Sequence, residues 1–115
     1  MQRRRRELAF REVSRAAPSF AALGDRTRLG IVLRLCLSGP QSTARLTRDT
    51  NISRQAVTKH LTTLEQAQIV GSSRAGRERV WVLRQDRLED LDGYIRQISA
   101  QWDAVVSRLR EMVER

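Results

Sequence analysis

The residues best equipped for chemistry in this chain lie between positions 53 and 64, Ser-Arg-Gln-Ala-Val-Thr-Lys-His-Leu-Thr-Thr-Leu. Arg54, Gln55, Thr58 and Lys59 form hydrogen bonds and carry no negative charge. Arg and Gln can pair in bidentate fashion with guanine and adenine edges, and Lys can meet phosphate. Val57, Leu61 and Leu64 recur at i, i+4 and i+7, the spacing of one apolar helical stripe. Ser53 suits the N-cap, where its hydroxyl accepts from a first-turn amide. A helix that buries the second set and offers the first fits a DNA major groove. The competing reading is an ordinary solvated helix face. His60 is the only histidine. It falls between the two sides and reads as a packing or phosphate-contacting residue, without the companions that catalysis or metal binding would need.

Other elements have to position this helix. Asp25 is a good N-cap, and Leu29, Val32, Leu33, Cys36 and Leu37 follow at helical spacing with Ile31 and Leu35 beside them. That pattern predicts the most apolar helix of the chain, central to the core and ended by Ser38-Gly39-Pro40. On this reading Cys36 is a small buried hydrophobe rather than a redox-sensing thiol. Ser42 caps a shorter helix to about Thr50, with Leu46 buried. Asn51 tolerates positive φ and makes a tight turn, and Ile52 anchors that turn to the core. A helix, a short turn and a second helix carrying polar readers make a helix-turn-helix. Two strands follow, 69–73 and 78–83, joined by a turn over 74–77 with Gly76 as hinge. Alternation puts Trp81 and Leu83 on the inward face. Arg74, Arg77 and Arg79 gather at the hairpin tip. A basic hairpin after a recognition helix is a wing, laid along the flanking backbone or minor groove; a solvated basic turn is the bland alternative.

The two ends carry a different signal. Leu8, Phe10, Val13 and Ala16 predict a helix over 7–17 that Pro18 ends or offsets, followed by a short helical turn that Gly24 stops. The run Arg3–Arg6 reads as a solvated arm able to touch phosphates. Over 86–114, Leu88, Leu91, Ile95, Ile98, Trp102, Val105, Leu109 and Met112 are spaced alternately by three and four, an a/d heptad pattern. So small a chain cannot cover that stripe alone, and the simplest partner is the same helix of a second copy, with Leu8 and Val13 joining the interface. The organisation expected is an N-terminal basic arm and helix over 1–17, a DNA-binding core over 18–85 and a dimerisation helix over 86–115.

Totals agree. The 115 residues suggest one modest core. Net charge is +9 and the isoelectric point about 11.5, which favours a polyanionic partner. Residues 1–40 are net +6, 41–84 net +5 and 85–115 net −2, so the polyanion should meet the first two segments. One cysteine allows neither an internal disulfide nor a cysteine zinc cluster. No signal-peptide core follows the charged start and no run is long enough to span a bilayer, so a cytoplasmic protein without a membrane partner is expected. Paired carboxylates, a nucleophile with a histidine partner and a glycine-rich phosphate loop are all missing from the pattern, which argues against an enzyme.

In order and spacing, Phe20 to Leu83 resembles the ArsR family of bacterial winged-helix repressors. The matching stretches are Ala22-Leu23-Gly24-Asp25-Arg26-Thr27-Arg28, Leu46, Ser53 through Leu61, Leu64-Glu65-Gln66-Ala67, and Gly76-Arg77-Glu78-Arg79 with Trp81 and Leu83. The tail with Gln101-Trp102-Asp103 looks like one subgroup of that family. The resemblance implies a mainly α fold with a small β-hairpin wing, ααααββα, dimerising through its N- and C-terminal helices. It implies a homodimer whose recognition helices enter successive major grooves of an inverted repeat. Ser53, His60, Arg74, Arg77 and Arg79 would position the DNA backbone while Arg54, Gln55, Thr58 and Lys59 read bases and nearby phosphates. The chain departs from the metal-sensing members. Their Cys-x-Cys-Asp cluster falls on Ser42, Ala44 and Arg45 here, and the last helix has no His. No metal site and no cofactor is therefore expected, and no effector is identified. The alternative function is a winged-helix protein-interaction module whose nucleic-acid contact is incidental.

Overall fold

Three side-chain caps fix where the central helices begin. In a computed structural model, which describes the backbone of residues 2–114 and the side chains of residues 10–114, Asp25, Ser42 and Ser53 each have extended backbone. Each accepts a hydrogen bond from an amide three residues on, at Arg28, Arg45 and Ala56. The helices they open are α2 (Arg26–Ser38), α3 (Thr43–Thr50) and α4 (Arg54–Gln66), preceded by α1 (Gln2–Leu23). Asn51 takes the left-handed conformation, φ 56°, and turns α3 into α4. The far end of α4 closes differently. Gln68 sits at φ 64° and the Ile69 amide reaches back to the Leu64 carbonyl, the 6→1 bond of a Schellman cap, with Gln68 where glycine is usual.

The core follows from the stripes these helices bury. Val57, Leu61 and Leu64 of α4, Leu46 of α3 and Ile31 of α2 are all fully buried. Strands β2 (Val70–Ala75) and β3 (Glu78–Leu83) form the expected hairpin, and β1 (Gln41–Ser42) joins it to give the antiparallel order β1-β3-β2. Trp81 is buried, and its indole N–H donates to the Thr43 hydroxyl at 2.9 Å. One bond thus ties the wing to the start of α3. The final helix, α5 (Gln85–Glu114), is a single uninterrupted element. Residues 1–84 form one compact unit and 85–115 a second.

Four local expectations need correction. Pro18 does not end α1, which runs on to Leu23, so the 17/18 boundary falls inside a helix. The cost of proline there is a missing amide, and beyond it Ser19 and Ala22 are buried and hold the helix in place. The phase of α2 also differs. Ile31, Val32 and Leu35 are its buried residues, whereas Leu29, Leu33, Leu37 and Cys36 are exposed. Two apolar stripes compete on that helix, and the one facing α1, α3, α4 and β3 is the β-branched pair with Leu35. Arg74 is not in the turn but in β2, opposite Arg79, because the hairpin turns on only Gly76 and Arg77. Gly76 has φ 66° and Arg77 does not share it, the signs of a type II′ turn. Strand β1 was not foreseen at all. Leu8 and Arg3–Arg6 lie outside the residues whose side chains are described.

The Trp81–Thr43 bond makes a direct test of how the wing is attached. Trp81→Phe and Thr43→Val should each lower stability to urea by about 1–3 kcal/mol, since each leaves a buried partner unpaired. The double variant should fall short of the sum. Full additivity would mean that the two groups do not interact.

Candidate nucleic-acid interface

The candidate reading surface starts at the N-terminus of α4. Ser53 is exposed and its Oγ accepts from the Ala56 amide at 3.1 Å. The burial of Val57, Leu61 and Leu64 forces the opposite side outward, and Arg54, Gln55, Thr58 and Lys59 are all exposed. The structure therefore brings these four onto one open face of one helix. Thr62 continues that face one turn beyond Thr58 and donates its hydroxyl to the Thr58 carbonyl at 2.9 Å. Its place at i+4 from Thr58 was the available signal.

His60 is placed differently from the other candidates. It is half-buried, and its Nδ1 lies 3.5 Å from Arg28 Nη1 and 4.0 Å from the Asp25 carboxylate. A guanidinium only donates, so in any bond between the two His60 Nδ1 is the acceptor. Arg28 also donates through Nε to the Ala22 carbonyl at 2.7 Å. The cluster thus joins the end of α1, the cap of α2 and the middle of α4, with His60 packed within it. The carboxyl of Asp25 is held below its ordinary pKa. The main cause is the Arg28 amide it accepts, helped by the positive charge of Arg28 and opposed by partial desolvation.

On the wing, Arg74 and Arg77 are exposed. Arg79 is exposed but tethered. Its Nε donates to Ser72 Oγ at 3.0 Å, Ser72 donates to Glu65 at 2.9 Å, and its guanidinium lies 5.4 Å from the centroid of the Trp81 ring, a cation–π geometry. The register sets Arg74 directly across from Arg79. Like charges so paired repel.

Sequence reasoning overlooked a third basic element. Arg45 and Arg48 on α3 are both exposed and three residues apart, on the helix that precedes the reader. The acid beside them, Asp49, is occupied: Arg34 reaches its carboxylate at 3.5 Å and its carbonyl at 2.9 Å. The signal was available as a basic i, i+3 pair on the first helix of the motif, which in helix-turn-helix proteins crosses the DNA backbone. Of the residues expected at a dimer interface, Ile95, Ile98, Trp102, Leu109 and Met112 are exposed, Val105 is half-buried and Leu91 is buried.

Comparison with known proteins gives a consistent set of relatives. The chain is 41% identical over 78 residues to the uncharacterized HTH-type transcriptional regulator YuzN of Bacillus subtilis, covering 63% of this chain and 85% of that one. It is 43% identical over 65 residues to the HTH-type transcriptional regulator Rv2034 of Mycobacterium tuberculosis, covering 56% of this chain and 60% of that protein's length. Among solved structures, an ArsR-like transcriptional regulator from Rhodococcus sp. RHA1 superposes with a TM-score of 0.76 at 31% identity, covering 86% of this chain and 92% of that one. No protein-family model matches.

The lowered pKa of Asp25 makes the cap pH-dependent in a known direction. A depressed carboxylate contributes stability above its unfolded pKa, about 3.9. That contribution is lost as pH falls through the folded value. Asp25→Ala should therefore be less stable than the parent at pH 7, and the gap should close on acidification below pH 4. Parallel denaturation curves across that range are the measurement, and a gap independent of pH would count against the charged cap.

Proposed function

Because the chain belongs to the ArsR family of winged helix-turn-helix transcriptional regulators, we propose that it is a repressor that binds an inverted-repeat operator as a homodimer and blocks transcription by occupying promoter DNA. One observation carries the reading. The helix α4 buries its whole apolar stripe and leaves Arg54, Gln55, Thr58 and Lys59 on the open side. In a major groove Arg54 and Gln55 would read base edges, with Thr58 and Lys59 on bases and nearby phosphates. Ser53, Arg74 and Arg77 would position the DNA backbone, with Arg45 and Arg48 added to them. Arg79 would join through its outward edge, and His60 would act through its packing against Arg28.

Two copies are needed for an inverted repeat. The exposed Ile95, Ile98, Trp102 and Leu109 on α5 support pairing through that helix, as an a/d stripe does in coiled coils. A homodimer would carry +18, twice the +9 of one chain, and its affinity would fall steeply with salt. Half-sites would lie roughly 10 bp apart centre to centre, or a multiple of it, as two-fold helix-turn-helix readers require.

Selection of bound duplexes from random DNA tests the function and yields the operator. A selected inverted repeat is expected; no sequence preference at moderate salt would favour the protein-interaction alternative. On the selected site, Arg54→Ala or Gln55→Ala should each cost about 1–3 kcal/mol and relax the base preference at one position. Arg77→Ala should weaken all sequences alike and reduce the salt slope by about 1. Equal losses on cognate and random DNA for both kinds of variant would overturn this division of labour. Trp102→Glu should give a monomer by sedimentation equilibrium that binds the operator poorly.

A further inference from the structure

Glu65 is the one acid on the helix α4, and it stands in the last turn. A negative side chain is unfavourable at a helix C-terminus, and it also opposes the charge of the basic surface nearby. Charge alone gives it no use there, and its contacts supply one. Ser72 and Arg74 on β2 share a face of the hairpin with Arg79 and Trp81 on β3. Side chains two apart in a strand point the same way, and the register sets Ser72 against Trp81 and Arg74 against Arg79. Glu65 reaches that face from α4. It accepts from the half-buried Ser72 hydroxyl at 2.9 Å, and the same oxygen accepts from Arg79 Nε at 3.0 Å. The two ends fix the middle. An ionised carboxylate only accepts and a guanidinium only donates, so the single hydroxyl proton goes to Glu65 and a lone pair is left for Arg79. The Arg79 guanidinium also lies 5.4 Å from the centroid of the buried Trp81 ring. Its tether to Ser72 is made through Nε, which leaves the terminal nitrogens of this exposed residue as donors for a ligand.

We propose that Glu65 and Ser72 are positioning residues for DNA binding: together they hold the wing's Arg79 from the reading helix, so that α4 and the wing meet the duplex as one surface. The inference rests on the DNA-binding reading and deepens it. Glu65 belongs to α4 and Arg79 to the second strand of the wing, so the relay sets the place of a phosphate-binding arginine from the same helix that carries Arg54 and Gln55. An arginine already held loses less side-chain freedom on meeting a phosphate than one swinging in solvent.

The sign of one effect separates the outcomes. Removing an acid from a polyanion-binding surface strengthens binding if charge is all that counts, whereas removing a positioning residue weakens it. Affinity for the duplex selected by the parent is measured by fluorescence anisotropy at one salt concentration, with circular dichroism melts to show that each variant is folded. The variants are Glu65→Ala, Ser72→Ala and Ser72→Thr, each alone and combined with Arg79→Ala. Glu65→Ala and Ser72→Ala should each weaken binding by about three- to tenfold, the scale of one long side chain left to be ordered on binding. Ser72→Thr keeps the hydroxyl and should bind like the parent. With Arg79→Ala in place, neither alanine change should weaken binding further, and Glu65→Ala should strengthen it, because only its charge is left to act. Glu65→Ala binding more tightly than the parent would overturn the role, as would losses of full size in the Arg79→Ala background. Arg79→Ala binding as well as the parent would leave no arginine to position and overturn the role, while the base reading by α4 stands. A parent chain that prefers no duplex would overturn the DNA-binding reading and the role together.

Discussion

The one-sided burial of α4 is the constraint on which the other features depend. Val57, Leu61 and Leu64 have no exposed surface, so the helix cannot rotate about its axis without bringing a leucine or valine into water. Burying side chains of that size is worth about 1.5–3 kcal/mol each relative to exposure. Even a fraction of that sum fixes the rotational setting of a 13-residue helix. The exposed face is thereby determined as strictly as the buried one, although nothing holds Arg54 or Gln55 directly. The surroundings serve the same setting. Leu46 and Ile31 fill the core beside α4, Asn51 sets the angle at which it starts, and the Gln68 cap sets where it stops.

Electrostatics arranges the second layer of the candidate reading surface. Three of the acids near the basic elements are engaged by the protein's own groups, while Glu78 stays exposed between Arg77 and Arg79. Asp25 caps α2, Asp49 meets Arg34, and Glu65 accepts from Ser72. The positive field of the exposed arginines on α3 and the wing is therefore less opposed than composition alone suggests, and a basic surface of this kind raises both affinity and encounter rate for a polyanion. The wing tolerates two arginines face to face because Arg79 is drawn toward Ser72 and the Trp81 ring.

How legible each element was depended on whether local and global signals agreed. The helix α4 was readable because its cap, stripe and polar face all named the same orientation. So were Asn51, where the turn needs a left-handed residue, and the inward Trp81. The helix α2 was misread because its sequence is apolar nearly all round. Leu29, Leu33 and Leu37 form as good a stripe as the buried residues, and only the three-dimensional neighbours decide between them. Pro18 misled in the opposite way, since a proline is a strong local stop that packing of Ser19 and Ala22 overrides. The strand β1 has two residues and no pattern of its own; it exists because β3 offers it an edge. Arg45 and Arg48 were legible as charges, but their placement needed the exposed face of α3 to be known.

One buried hydroxyl ties the far end of α4 to α1. Ser19 has no exposed surface, and it donates to the carbonyl of Ala67, just past the end of α4 where backbone acceptors lack helical partners. This end is pinned to α1, while Ser53 at the other end stands in solvent. A helix of 13 residues is about 20 Å long. A tilt of about 6° about the pinned end carries the reading end some 2 Å, more than the tolerance of a hydrogen bond to a base edge. Arg54 and Gln55 thus sit at the end of α4 farthest from that bond, where a change of tilt moves a side chain most.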